Sequence, residues 1–214
     1  WAFIVRQYLD GTKVYNWSYD WKYAIDHRAE ELYWDNKAWY AGFDYELDVS
    51  ACKDVPCKVA AGLEWLNQHV ALLGFGTWPG RPAEEVLNAE TGYGLERNRM
   101  LWKMLDDLGI QAHFAFGRTR HAGTLDRNLP LYAALNHGLL VLPEQPGLSS
   151  PLFVDATCEW CAPGRIPAWF IDQEVVVMIP KKEALANTGD IEIEWVEVRG
   201  EPAPPEKSEY RVET

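Results

Sequence analysis

Thr91-Gly92-Tyr93-Gly94-Leu95-Glu96-Arg97, running on to Leu108-Gly109-Ile110, decides how this chain reads. Leu101, Met104, Leu105 and Leu108 recur at intervals of three and four, which lines one face of a helix from about Leu95 to Leu108. Gly109 supplies the stop. Just upstream, Pro82 to Leu87 reads as a short helix, with proline at its first turn and Glu84 and Glu85 at its positive end. Downstream the period changes to two. Gln111–Arg118, Leu135–Leu142, Leu152–Ala156, Glu174–Ile179 and Ile191–Val198 read as strands. Helices followed by a run of strands predict an α+β fold, with a central helix packed on an antiparallel sheet.

Working outward, Lys58–Leu73 reads as another helix, because Val59, Leu63, Leu66, Val70 and Leu73 share one face. Trp78-Pro79-Gly80-Arg81-Pro82 reads as a turn, and 119–130 as a polar loop. Phe3–Tyr8 alternates as a strand before the turn signal Asp10-Gly11, and Trp21, Ile25, Ala29 and Leu32 have helical spacing. From Gly200 the chain is rich in Pro and Glu, as linkers and disordered tails are. The expected organisation is an aromatic-rich segment over 1–57, a core over 58–180, and a strand plus tail over 181–214.

Gly92–Arg97 opens the central helix, and two further pieces follow it in order: Asn136-His137 on one strand and Asp155-Ala156-Thr157 on the next. A thiol acyl-transfer enzyme needs a thiolate at a helix N-terminus, a His base on an adjacent strand and a carboxylate to orient that His. This sequence has the layout without the thiol. Bacterial transglutaminase-like proteins carry a Gly-Asp-Cys-Lys-Asp-type motif opening a helix that ends in Leu-Gly-Ile. An Asn-His-aliphatic strand, an Asp-x-Thr strand and a Gly-x-x-Pro turn then follow. The chain resembles them over roughly 58–180, ending with Gly164-Arg165-Ile166-Pro167.

The resemblance implies a papain-like core in which His137 and Asp155 match the catalytic His and Asp. The nucleophile position falls on Gly94, and the flanking Asp and Lys become Tyr93 and Leu95. It therefore implies a pseudoenzyme, with Gly94, His137 and Asp155 as vestigial positions. Tyr93, Gly94, Asn136, His137 and Asp155 are the candidate binding residues. Three alternatives stay open: a relocated nucleophile at Cys158, a metal site from His113, His121, His137 and Asp155, and a carbohydrate-binding module built on the surplus of aromatics. No cofactor and no metal are expected.

Cysteine usage points to a compartment. Cys52/Cys57 and Cys158/Cys161 are two local pairs, which suggests two short disulfides and an oxidising, extracytoplasmic setting: periplasmic, cell-surface or secreted. A single zinc site and free thiols are the competing readings. The net charge of −12 makes nucleic acid a poor partner. No apolar run is long enough to insert in a membrane. Eleven Trp and ten Tyr exceed what a core needs unless their polar tips find partners, so some are expected to face a ligand or a neighbouring chain. The chain begins at Trp1 rather than Met, which suggests a piece of something longer. The expected role is a protein- or peptide-binding scaffold module in a larger extracytoplasmic assembly.

Overall fold

The computed structural model describes residues 7–10, 13–16, 20–22, 25, 29, 32–33, 36–76, 80–130, 132–181 and 191–202. Its frame is a five-stranded antiparallel sheet crossed by one long helix, an α+β arrangement. In chain order the elements begin with β1 (Gln7–Asp10), β2 (Lys13–Asn16), α1 (Asn36–Trp39), α2 (Val55–His69) and β3 (Ala71–Gly74). Next come α3 (Ala83–Ala89), β4 (Thr91–Tyr93), α4 (Gly94–Asp107), β5 (His113–Gly117) and β6 (His137–Leu142). The last are β7 (Leu152–Val154), β8 (Arg165–Ile166), β9 (Glu174–Pro180), β10 (Ile191–Glu197) and β11 (Glu201–Pro202). The main sheet has the order β10-β9-β5-β6-β7.

Strand alternation divides the core in two. Phe114, Phe116, Leu140, Leu142, Val176 and Met178 pack in the cluster that includes Leu101, Met104 and Leu105 of α4. The intervening Ala115, Leu139, Val141, Val175 and Val177 pack with Ile166, Phe170 and Val198. Both faces of β5 and β6 are therefore covered.

Much of the aromatic surplus is core. Trp21, Ile25, Ala29 and Leu32 are all buried in the cluster containing α4. Trp39, Tyr40, Phe43, Tyr45 and Trp65 form a chain of ring contacts with centroids 4.8 to 6.3 Å apart. Tyr33 locks the N-terminal segment to the sheet: its hydroxyl donates to the Met178 carbonyl and accepts from the Phe114 amide, both at 2.9 Å.

Several boundaries differ from the sequence reading. The helix expected over Lys58–Leu73 spans Val55–His69. It starts early because the Asp54 carboxylate caps the Cys57 amide and proline fits the first turn. It stops early because Ala71 pairs with the Glu90 carbonyl and Ala71–Gly74 joins β4 in a parallel pair. Leu73 kept the helical period, yet the chain is extended there. The strand expected from Leu135 begins at His137, after a 3-10 turn over Tyr132–Ala134. In the region read as a tail, Glu201–Pro202 pairs with Arg165–Ile166. Of the strand expected over Phe3–Tyr8, residues 3–6 lie outside the described residues, and Gln7–Asp10 pairs with Lys13–Asn16. Within the turn read at 78–82, residues 78–79 lie outside them too, as does the tail beyond 202.

Both cysteine pairs are disulfides, Cys52–Cys57 and Cys158–Cys161, and no cysteine is free. Among the described residues no helix is long and apolar enough to cross a membrane.

Two predictions follow from the buried polar groups. Tyr33→Phe strands the Met178 carbonyl and the Phe114 amide, so it lowers unfolding stability by about 1–3 kcal/mol in urea titrations. His113 is buried, and burial pushes its imidazole down from 6.5 to about 4. The unfolded chain therefore binds a proton that the folded chain refuses. Stability falls as pH drops from 6.5 towards 4 and levels off below, by up to about 3 kcal/mol. His113→Phe flattens the urea midpoint over that window; an unchanged slope removes His113 from the account.

Candidate functional site

The N-terminus of α4 is built from its own sequence. Glu96 is fully buried and accepts from the Tyr93 amide at 2.8 Å and the Arg81 amide at 2.7 Å. The Arg81 guanidinium adds bonds of 3.2 and 3.0 Å to the same carboxylate and reaches the Thr91 carbonyl. Gly80 has φ +67, and a Cβ there would stand 2.2 Å from Glu96 Oε1, so only glycine fits. The Leu95 amide donates to the Gly76 carbonyl at 3.1 Å. This helix start is thus occupied by the chain's own acceptors.

His137 and Asp155 are paired. His137 Nε2 lies 2.7 Å from Asp155 Oδ2, and both side chains are fully buried. The β6–β7 register sets Leu140 opposite Val154, so Asp155, just past β7, falls opposite Leu139 by extension. His137 is then its diagonal neighbour on the same face, within reach of a long side chain. The second Asp155 oxygen accepts from the Thr157 amide at 2.9 Å and the Thr157 hydroxyl at 2.6 Å. Burial works to raise the Asp155 carboxyl. The charge and hydrogen bond of His137, with the two bonds from Thr157, outweigh it and hold the carboxyl below its ordinary value. His137 Nδ1 is buried and has no hydrogen-bond partner among the described residues. Its ring sits between Phe170, at 4.5 Å, and Phe75, at 5.6 Å between centroids.

Gly94 joins this cluster through its neighbours. A Cβ on Gly94 would stand 2.5 Å from the Thr157 methyl and 3.6 Å from Phe75 Cα. Thr157 therefore touches both the space beside Gly94 and the carboxylate. Asn98 binds the frame together: its amide donates to the Gly94 and Gly138 carbonyls, each at 3.0 Å, and accepts from the Ala156 amide at 3.2 Å. Arg97, also fully buried, donates to the Ala156 carbonyl at 2.8 Å and to the Val70 carbonyl.

The expected residues separate by exposure. Gly94, His137 and Asp155 are gathered but sealed. Tyr93 is 45% exposed and lies against Gly76. Asn136 is half-buried, accepting from the Thr119 amide and donating to the Thr119 hydroxyl, both at 2.9 Å. Cys158 is buried and bonded to Cys161. Among the described residues no group of three or more His, Cys, Asp and Glu side chains could hold a metal ion. Sequence reasoning missed Asn98, Arg97, Thr157 and Phe75. Thr157 carried a signal, standing in the Asp-x-Thr triplet; the others carried none.

No protein-family model and no curated protein matches the chain. One solved structure does. It is a crystal structure described as a "putative protease" from Parabacteroides distasonis, with 15% identity and a TM-score of 0.51. The match covers 89% of this chain but only 33% of that one, so this chain spans about a third of its neighbour's length. At that identity the likeness carries the fold alone.

The contact at Gly94 is testable by a mutant cycle. Gly94→Ala forces its methyl against Thr157 and costs about 1–3 kcal/mol in urea unfolding. Thr157→Ser removes the opposing methyl and keeps the hydroxyl, so the double variant recovers at least about 1 kcal/mol of that loss. Strictly additive effects would show that the two positions do not meet.

Proposed function

We propose that this chain is a transglutaminase-like domain without cysteine chemistry, which binds a peptide segment or another protein chain in an extracytoplasmic assembly. One observation carries the reading: the space a side chain at position 94 would need is taken by the Thr157 methyl, while the His137–Asp155 pair beside it is intact. A base and its orienting carboxylate without a nucleophile make a poor catalyst. Loss of one member of such a unit costs on the order of a million-fold in rate. The pair then serves as a buried hydrogen bond fastening β6 to the segment after β7. The two disulfides support the oxidising setting.

A peptide hydrolase is the rival, favoured by the description of the structural neighbour and by His137 Nδ1, which has no hydrogen-bond partner among the described residues and where a nucleophile's proton could be received. Cys158 would have to leave its bond with Cys161 to act.

Turnover of a fluorogenic peptide amide and amine transfer to a glutamine peptide decide between the two. Each is measured with and without reductant, on the wild type and on a His137→Gln variant verified by circular dichroism. The expected result is identical background rates for both proteins. Turnover that disappears in His137→Gln overturns the non-catalytic reading, and turnover that needs reductant assigns the nucleophile to a cysteine.

A further inference from the structure

The two disulfides sit in opposite settings. Cys158 and Cys161 are 1% and 8% exposed. Their loop is held from several sides. The Asn67 amide donates to the Glu159 carbonyl at 2.8 Å, Arg97 reaches the Glu159 carboxylate at 3.5 Å, and the Cys158 amide donates to the Asp155 carbonyl at 3.1 Å. Cys161 borders a surface cleft with Trp160 and Pro163, yet stays buried. By contrast, Cys57 is exposed and Cys52 half-buried. Thiol–disulfide exchange needs a thiolate to reach a sulfur, and exposed disulfides are the labile ones.

The exposed bridge also duplicates what other groups already do. Cys57 lies in the first turn of α2, and that helix start is fixed without the sulfurs. The Asp54 carboxylate accepts from the Cys57 amide at 2.9 Å, and Pro56 presets the first turn. Further along, Val59, Leu63 and Leu66 anchor α2 in the core. The bridge joins residues only 5 apart in sequence, so it closes a small loop and constrains the unfolded chain little. Opening it therefore leaves α2 seated.

We propose that Cys52–Cys57 is a thiol–disulfide exchange site, opened by an external thiol while Cys158–Cys161 stays closed. The incoming thiolate bonds to Cys57 Sγ, the S–S bond breaks, and Cys52 leaves as a thiolate that takes up a proton. A second thiolate then attacks the incoming sulfur of the mixed disulfide, and Cys57 leaves in turn. The two external sulfurs are oxidised to a disulfide as the two cysteines are reduced. The positive end of α2 favours the Cys57 thiolate, and the Asp54 carboxylate in the same turn works against it. Exposure and redundancy, not thiol acidity, carry the assignment. The thiol belongs to a small molecule or to a protein cysteine, the chemistry being shared. This role goes beyond the binding role given above and holds whether or not the chain is catalytic.

The test incubates the folded protein with reduced glutathione or with reduced thioredoxin, quenches with iodoacetamide and maps the labelled cysteines by peptide mass spectrometry. Cys52 and Cys57 are expected to open at least about tenfold faster than Cys158 and Cys161, with the helical circular dichroism unchanged. The expected intermediate carries glutathione on Cys57 and the alkyl label on Cys52. Opening by thioredoxin alone supports the proposal and assigns the thiol to a protein; opening by glutathione supports it and assigns a small thiol. A Cys52→Ser/Cys57→Ser double variant keeps the wild-type circular dichroism spectrum and cooperative unfolding. Equal rates for the two pairs, earlier opening of Cys158–Cys161, or resistance of Cys52–Cys57 to both reductants overturns the proposal. So does an adduct on Cys52 in place of Cys57, or loss of helix on opening or in the double variant.

Discussion

Asn98 stands where three separate elements end. A primary amide has two N–H donors and an oxygen that accepts, and here both donors and the acceptor are used on backbone groups of α4, β6 and the segment after β7. The side chain is wholly buried, so none of these bonds competes with water. Its neighbours extend the arrangement. Glu96 fastens the entry to α4 through Arg81, and Arg97 holds the Ala156 carbonyl from the other side. Burying that guanidinium is costly enough to depress its proton affinity, an effect the nearby charges of Glu159 and Asp155 work against. Gly94, His137 and Asp155 inherit their positions from this single turn of helix, since each lies next to a backbone group the turn holds.

That turn shows where sequence reading stops. Leu101, Met104 and Leu105 announced the apolar face of α4 through their spacing, and they are core residues. Glu96-Arg97-Asn98-Arg99 is a polar and charged run, yet all four are buried. Their partners, among them Arg81, Val70, Gly138, Ala156 and the Trp39 ring 4.0 Å from the Arg99 guanidinium, are remote in sequence. No periodicity encodes them. Leu73 fails for the opposite reason: its local helical period was clear, but pairing of its segment with β4 claimed the backbone. The His137–Asp155 pair was legible because strand alternation and a small register offset are local facts about β6 and β7.

Thr157 ties the chemistry of the cluster to its sterics. A β-branched side chain has few rotamers, and this one is fixed by its hydroxyl bond to Asp155. Fixing the hydroxyl also fixes the methyl, which fills the space beside Gly94. Turning Thr157 to admit a side chain at position 94 would break the bond that helps keep the buried Asp155 ionised. In this arrangement the support of the carboxylate and the small residue at position 94 therefore depend on the same threonine. The Cys158–Cys161 disulfide, beginning at the next residue, restrains the loop that would have to move. A side chain larger than hydrogen at position 94 therefore requires either a shift of that loop or loss of the Thr157 methyl.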